Sequence, residues 1–207
     1  MTADRVQLVK RGRRLEYFTI LWNSLEAVAA LISGLIAGSV ALVSFGLDSF
    51  IEVASGAALL WRLQQDTDLA SREKAERLTL RMVGFCFLLL SAYVAYESVS
   101  ALVTRQSAEK SPVGIAIAVA SLVAMPLLSC AKRRVSAGIR SAAMAADARQ
   151  TDFCAYLSGI LLGGLLLNAL FGLWWADPVA GLIMVPIIAK EGITGLQGKS
   201  CCDICGH

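Results

Sequence analysis

Six long apolar runs, separated by short charged blocks, decide what this chain can fold into. A helix needs about 20 mostly apolar residues to cross the roughly 30 Å hydrocarbon core of a bilayer. The runs meet that length. They are too long and too regular for the alternating strands of about ten residues that build an outer-membrane barrel. Of 207 residues, 57% are hydrophobic and only 17% are charged, and the mean hydropathy is +0.64. A water-soluble domain carries about 25% charged residues, spread over its surface; here they sit in blocks. The reading is an all-α membrane protein with six transmembrane helices, at 18–37, 39–61, 82–104, 113–131, 142–168 and 178–197. A basic arm over 1–17 precedes this transport domain of 18–197, and a Cys/His-rich tail over 198–207 follows it.

The blocks orient the spans. The arm carries Arg5, Lys10, Arg11, Arg13 and Arg14, and the second connection Arg62, Arg72, Lys74, Arg77 and Arg81. The fourth connection and the start of span five carry Lys132, Arg133, Arg134, Arg140 and Arg149, and the last stretch Lys190 and Lys199. The opposite side holds only Arg105 and Lys110. An excess of Lys and Arg stays cytoplasmic, so both termini are expected there. Topology explains these cations, and no nucleic-acid partner is read from them. The first apolar run is long enough to span, so no cleavable signal peptide is expected.

Local signals mark the turns. Gly38-Ser39 reads as a tight link that makes spans one and two antiparallel neighbours. Trp174 and Trp175 suit the membrane interface. Asp177-Pro178 reads as the start of span six, with an N-cap carboxylate and then a proline at the first helical position. Pro126 and Pro186 fall inside spans, where proline kinks a helix. Gly34/Gly38 and Gly159/Gly163 have the spacing that lets membrane helices approach closely.

Carboxylates inside the spans are the chemical signal: Glu26, Asp48, Glu52, Glu97, Asp147 and Asp152. A carboxylate at the bilayer centre costs about 3 kcal/mol on insertion scales, so it faces a cavity, a partner or an ion. The sequence shows no basic residue at matching depth, which makes a cation the natural partner. Asp48 and Glu52 are four apart and share a helix face. Together they suit one divalent ion; singly, either can serve as a hydrogen-bonding group between helices. In span five, Asp147, Gln150 and Cys154 share a face at i, i+3 and i+7, whereas Asp152 points elsewhere. A carboxylate pair with a thiolate and an amide oxygen suits a borderline-soft ion. Cys154 can equally pack as a small apolar residue.

The tail reads Cys201-Cys202-Asp-Ile-Cys205-Gly-His207 and contains the chain's only histidine. In a reducing compartment its thiols are not expected to pair. Thiolates and imidazole suit Zn(II), Cd(II) or Cu(I); a redox-active or unstructured tail is the alternative.

These motifs resemble the cation diffusion facilitator family, which exchanges divalent metal ions for protons. Gly38-Ser39-Val-Ala41-Leu42 leads into Asp48 and Glu52, where the family places two metal ligands four residues apart. Ala146-Asp147-Ala148-Arg149-Gln150, continuing to Cys154 and Ser158, is similar to the family's span-five signature. Trp175-Ala176-Asp177-Pro178 resembles its entry to span six. The likeness covers nearly all six spans. Gln150 and Cys154 stand where the family has His and Asp, so either Cys154 supplies a soft ligand or Asp152 has taken over. The family's cytoplasmic domain after span six is expected to be missing, with the tail in its place.

The resemblance implies a secondary transporter rather than an enzyme, and no nucleophile–base pair or phosphate loop argues otherwise. The expected activity is divalent metal efflux by metal/proton antiport, with Zn(II) favoured over Cd(II), Mn(II) and Fe(II) as the transported ion and no separate cofactor. The expected ligands are Asp48, Glu52, Gln150, Asp152 and Cys154 in the membrane, with Cys201, Cys202, Cys205 and His207 in the tail. The expected partners are metal ions, protons, membrane lipid and a second copy in a homodimer, in a bacterial inner membrane. The alternative is a non-transporting metal-binding scaffold or partner subunit of the same fold.

Overall fold

Gly38 ends the first helix in the left-handed region, at φ +62°. There the Ser39 N–H reaches back to the Gly34 carbonyl at 3.0 Å, the bond that closes a glycine-terminated helix. Arg105 does the same for the third helix at φ 54°, with the Gln106 N–H on the Ala101 carbonyl at 3.0 Å. The structure, a computed structural model, describes residues 3–64, 69–106, 108–139 and 142–197. It contains six helices: α1 (Ala3–Ala37), α2 (Val40–Gln64), α3 (Leu69–Thr104), α4 (Pro112–Ile139), α5 (Ala142–Phe171) and α6 (Ala176–Leu196). No strand occurs among the described residues. All six helices are long and apolar enough to cross a membrane, and the chain is an integral multi-pass membrane protein.

Helices α1, α2, α5 and α4 form a closed ring, each packed on the next. The α3–α6 pair covers the α2–α5 side of that ring. Neighbours run antiparallel: an added Cβ on Gly34 would lie 2.8 Å from Val43, and one on Gly46 2.9 Å from Leu31. The α3–α6 contact depends on Gly84 and Gly192, where an added Cβ would meet the partner backbone at 2.6 Å and 2.9 Å. The expected Gly159/Gly163 pair does not bring helices together, since a Cβ on Gly163 would meet nothing within 4 Å.

The exterior is apolar and much of the interior is polar. On α1, Leu21, Leu25, Val28, Ile32, Leu35 and Ile36 are exposed, while Glu16, Thr19, Asn23 and Glu26 are buried. Lipid has no need of a polar outer face, so the polar stripe turns into the ring. A hydrophobic cluster containing Phe45, Phe87, Met125, Leu157, Leu161 and Met184 fills the rest.

Three boundaries differ most from the sequence reading. Helix α1 starts well before residue 18, α3 starts at Leu69 rather than near residue 82, and α4 continues past residue 131 to Ile139. The extension of α4 takes Lys132, Arg133 and Arg134 out of a connection and puts them on a helix. Asp177 is not the N-cap of α6 either: Trp175 holds that position, with no side-chain cap. The Asp177 carboxylate crosses to the start of α2 instead, accepting from the Ser39 hydroxyl and from the Val40 N–H at 2.8 Å.

Candidate cation site

Asp48 and Glu52 lie one turn apart on α2, both buried at 3% and 1% exposure. Antiparallel α5 places Cys154, equally buried, beside both carboxylates. The Thr151 hydroxyl lies 3.0 Å from Glu52 Oε1, and the other Glu52 oxygen has no hydrogen-bond partner among the described residues. Gln150 also faces α2: its amide oxygen accepts from the Ser55 hydroxyl at 3.0 Å. Two carboxylates and a thiol thus meet across the α2–α5 seam, with an amide one turn further along. Among the described residues, no three Asp, Glu, Cys or His side chains converge closely enough to hold a metal ion.

Asp152 is elsewhere. It pairs with Arg133 of α4 at a partly exposed position, as its different helical face required. Cys86 and Cys130 are exposed on α3 and α4. Cys201, Cys202, Cys205 and His207 lie outside the described residues.

The expectation that no basic residue matches the depth of the carboxylates is overturned by Lys132. Its side chain, fully buried, reaches from α4 into the ring. The ammonium donates to Asp147, to Thr151 Oγ1 at 3.3 Å and to Glu16 Oε2 at 3.5 Å. Thr151 then links this cluster to Glu52. Among the described residues Glu16 Oε1 and Asp147 Oδ1 remain without hydrogen bonds, so one ammonium serves more carboxylate oxygens than it can saturate. Arg133 and Arg134, its neighbours in sequence, are exposed. Register separates them: Ala118, Ser121, Met125, Leu128 and Lys132 form one buried stripe of α4, at the spacing of a single helix face. Read for that register, the sequence already points Lys132 inward.

A further buried carboxylate, Glu26 of α1, accepts from the Ser49 hydroxyl at 3.0 Å. Ser49 adjoins Asp48 in sequence, so Glu26 lies close to the α2–α5 group without being part of it.

A membrane-embedded ring of four helices that encloses carboxylates, a thiol and a lysine is the arrangement of a polytopic cation-handling protein. The chain belongs to the cation efflux family, whose transmembrane domain matches residues 17–196. It is similar to an uncharacterised transporter of Methanocaldococcus jannaschii, at 24% identity over 83% of this chain and 62% of the relative. Transmembrane protein 163 of Xenopus laevis is 24% identical over 89% of this chain and 66% of the relative. The uncharacterised transporter YdbO of Bacillus subtilis is 24% identical over 90% of this chain and 66% of the relative. The chain therefore spans less than two thirds of the length of these relatives.

Proposed function

We propose that this chain moves a divalent metal ion, Zn(II) or Cd(II), across the membrane in exchange for protons. The observation that carries the reading is the burial of Asp48, Glu52 and Cys154 side by side across the α2–α5 seam. Two carboxylates balance the charge of a divalent ion. The thiol, as thiolate, adds the soft donor that Zn(II) and Cd(II) prefer over Mn(II) and Fe(II). Gln150 lends an amide oxygen at the edge of the group. Asp152, held by Arg133, is not among the ligands in this proposal.

Binding requires the three side chains to close on the ion. Glu52 turns from Thr151, and its unpartnered oxygen turns with it toward Asp48 and Cys154. Protons compete with the metal for the same carboxylates, so loading on one side and release on the other exchanges one for the other. Rocking of helix groups about a fixed site gives alternating access. Lys132 holds Asp147 and Glu16, which keeps those carboxylates from drawing the ion off the site. The termini are cytoplasmic in this reading, the tail captures metal there, and the protein works as a homodimer in a bacterial inner membrane.

The absence of a closed three-ligand group among the described residues favours a second reading, a non-transporting metal-binding partner of the same fold. The two differ in flux. Vesicles loaded with a pH-sensitive dye and carrying the reconstituted chain acidify or alkalinise on metal addition if it is an antiporter. A folded protein that gives no metal-dependent proton movement is the scaffold.

A further inference from the structure

Beside the proposed metal group lies a second cluster of buried polar side chains of different chemistry. Its members are Asn23 and Glu26 of α1, Ser49 of α2 and Ser121 of α4, all buried to 5% exposure or less. Asn23 and Glu26 are three apart, hence neighbours on one helix face. Ser49 donates to Glu26 Oε2 at 3.0 Å. The Ser121 hydroxyl and the Trp22 indole N–H flank the same carboxylate. Yet among the described residues Glu26 Oε1 and both polar atoms of the Asn23 amide have no hydrogen-bond partner, and Ser121 Oγ and Trp22 Nε1 approach Glu26 without completing a well-formed bond. Native interiors rarely leave so many polar atoms unpaired in one place, and each cluster of them demands an explanation.

The explanation is a matter of charge and hardness. Among the described residues Glu26 has no basic partner. The buried lysine is engaged with Asp147 and Glu16, and Glu16 lies ten residues away on the same helix, about 15 Å at 1.5 Å per residue. An unpaired carboxylate inside a membrane protein takes a counter-ion or marks an ion pathway. The remaining donors are neutral oxygens: an amide carbonyl and two hydroxyls. One negative charge with hard oxygen atoms matches a small monovalent cation, whereas a soft divalent ion prefers the thiol and paired carboxylates next door. We infer that Asn23, Glu26, Ser49 and Ser121 form a binding site for a monovalent cation of the sodium class, separate from the Asp48–Glu52–Cys154 group. The Trp22 indole N–H lies beside the same carboxylate, placed to orient it once an ion is bound.

The test uses the purified full chain in detergent with sodium alone as probe, at constant chloride with choline as replacement. Radioactive sodium binding is expected to saturate at one ion per chain, and the thermal midpoint is expected to rise with sodium but not with choline. Ser121→Ala removes one ligand with little change in packing and is expected to weaken sodium binding by about tenfold, near 1.4 kcal/mol. Asn23→Leu is expected to act in the same direction, and Glu26→Gln to abolish binding. Sodium binding is expected with no divalent metal present, so this inference stands or falls independently of the metal-transport proposal. No saturable sodium binding in the folded wild type overturns it. So does binding that Ser121→Ala, Asn23→Leu and Glu26→Gln leave unchanged.

Discussion

Asp177 caps a helix it does not belong to: its carboxylate accepts from Ser39 and from the first N–H groups of α2, 137 residues away in the chain. Ser39 in turn accepts from the Leu42 N–H at 3.1 Å, so both side chains satisfy the same helix start. Nearby, the Glu109 N–H bonds to the Ala37 carbonyl at 2.7 Å, and the Asn168 amide donates to the Ala108 carbonyl at 2.8 Å. The end of the bundle opposite the termini is thus tied together across helices. Asp177→Ala leaves the Val40 N–H and the Ser39 hydroxyl without this acceptor. We expect a loss of about 2 kcal/mol, the cost of removing a charged acceptor from buried donors. Asp177→Asn, which keeps one acceptor oxygen, should recover part of it. Chemical unfolding in detergent, following helix content, measures both.

Lys132 is the partner on which two buried carboxylates depend. Lys132→Met should destabilise the fold by about 4 kcal/mol, because removing one member of a buried ion pair strands the others. Adding Asp147→Asn to Lys132→Met should restore most of that loss. The non-additivity of the double variant reads the coupling. Additive losses would show that the two side chains do not act as a pair.

The α3–α6 pair closes at Gly84, where a Cβ would lie 2.7 Å from the Gly192 carbonyl oxygen and 2.6 Å from the Leu196 nitrogen. Neither is a side chain that can swing aside. Gly84→Ala should therefore push the two helices apart and cost about 2 kcal/mol, in the range of overpacked cores. Gly163→Ala, where the added methyl meets nothing, should be neutral. Unfolding midpoints of the two variants give the comparison.

Cys154 supplies the soft donor of the proposed metal group. Cys154→Asp replaces a thiol by a hard carboxylate in the same place. Transport of Cd(II) should fall relative to Mn(II), since soft ligands select the former and carboxylates the latter. Competition between the two metals during uptake is the measurement. An unchanged ratio would place Cys154 outside the ligand set.

Periodicity exposed the six helices, because a bilayer leaves so few other ways to arrange long apolar runs. It also exposed Asp48 and Glu52, whose four-residue spacing survives any uncertainty in span ends. Lys132 was hidden by its company. In the run Lys132-Arg133-Arg134 it looks like one more helix-end cation, and only the register of α4 tells the inward side chain from the outward two. Asp152 was distinguishable from Cys154 by helical face, but nothing in the sequence supplied Arg133 as its partner. Asp177 carries the local grammar of an N-cap, yet its bonds are tertiary, and no reading of neighbours along the chain reaches Ser39. The approach of Ser121 to Glu26 depends on how α1 meets α4, which is a packing fact of the folded ring.

The most direct test of the central claim is metal uptake into proteoliposomes under an imposed pH gradient, with Zn(II), Cd(II), Mn(II) and Fe(II) in parallel and Asp48→Ala as control. A metal/proton antiporter built on Asp48 gives Zn(II) or Cd(II) uptake that needs both the gradient and Asp48. Uptake unchanged in Asp48→Ala, or no uptake of any metal by folded protein, would contradict it.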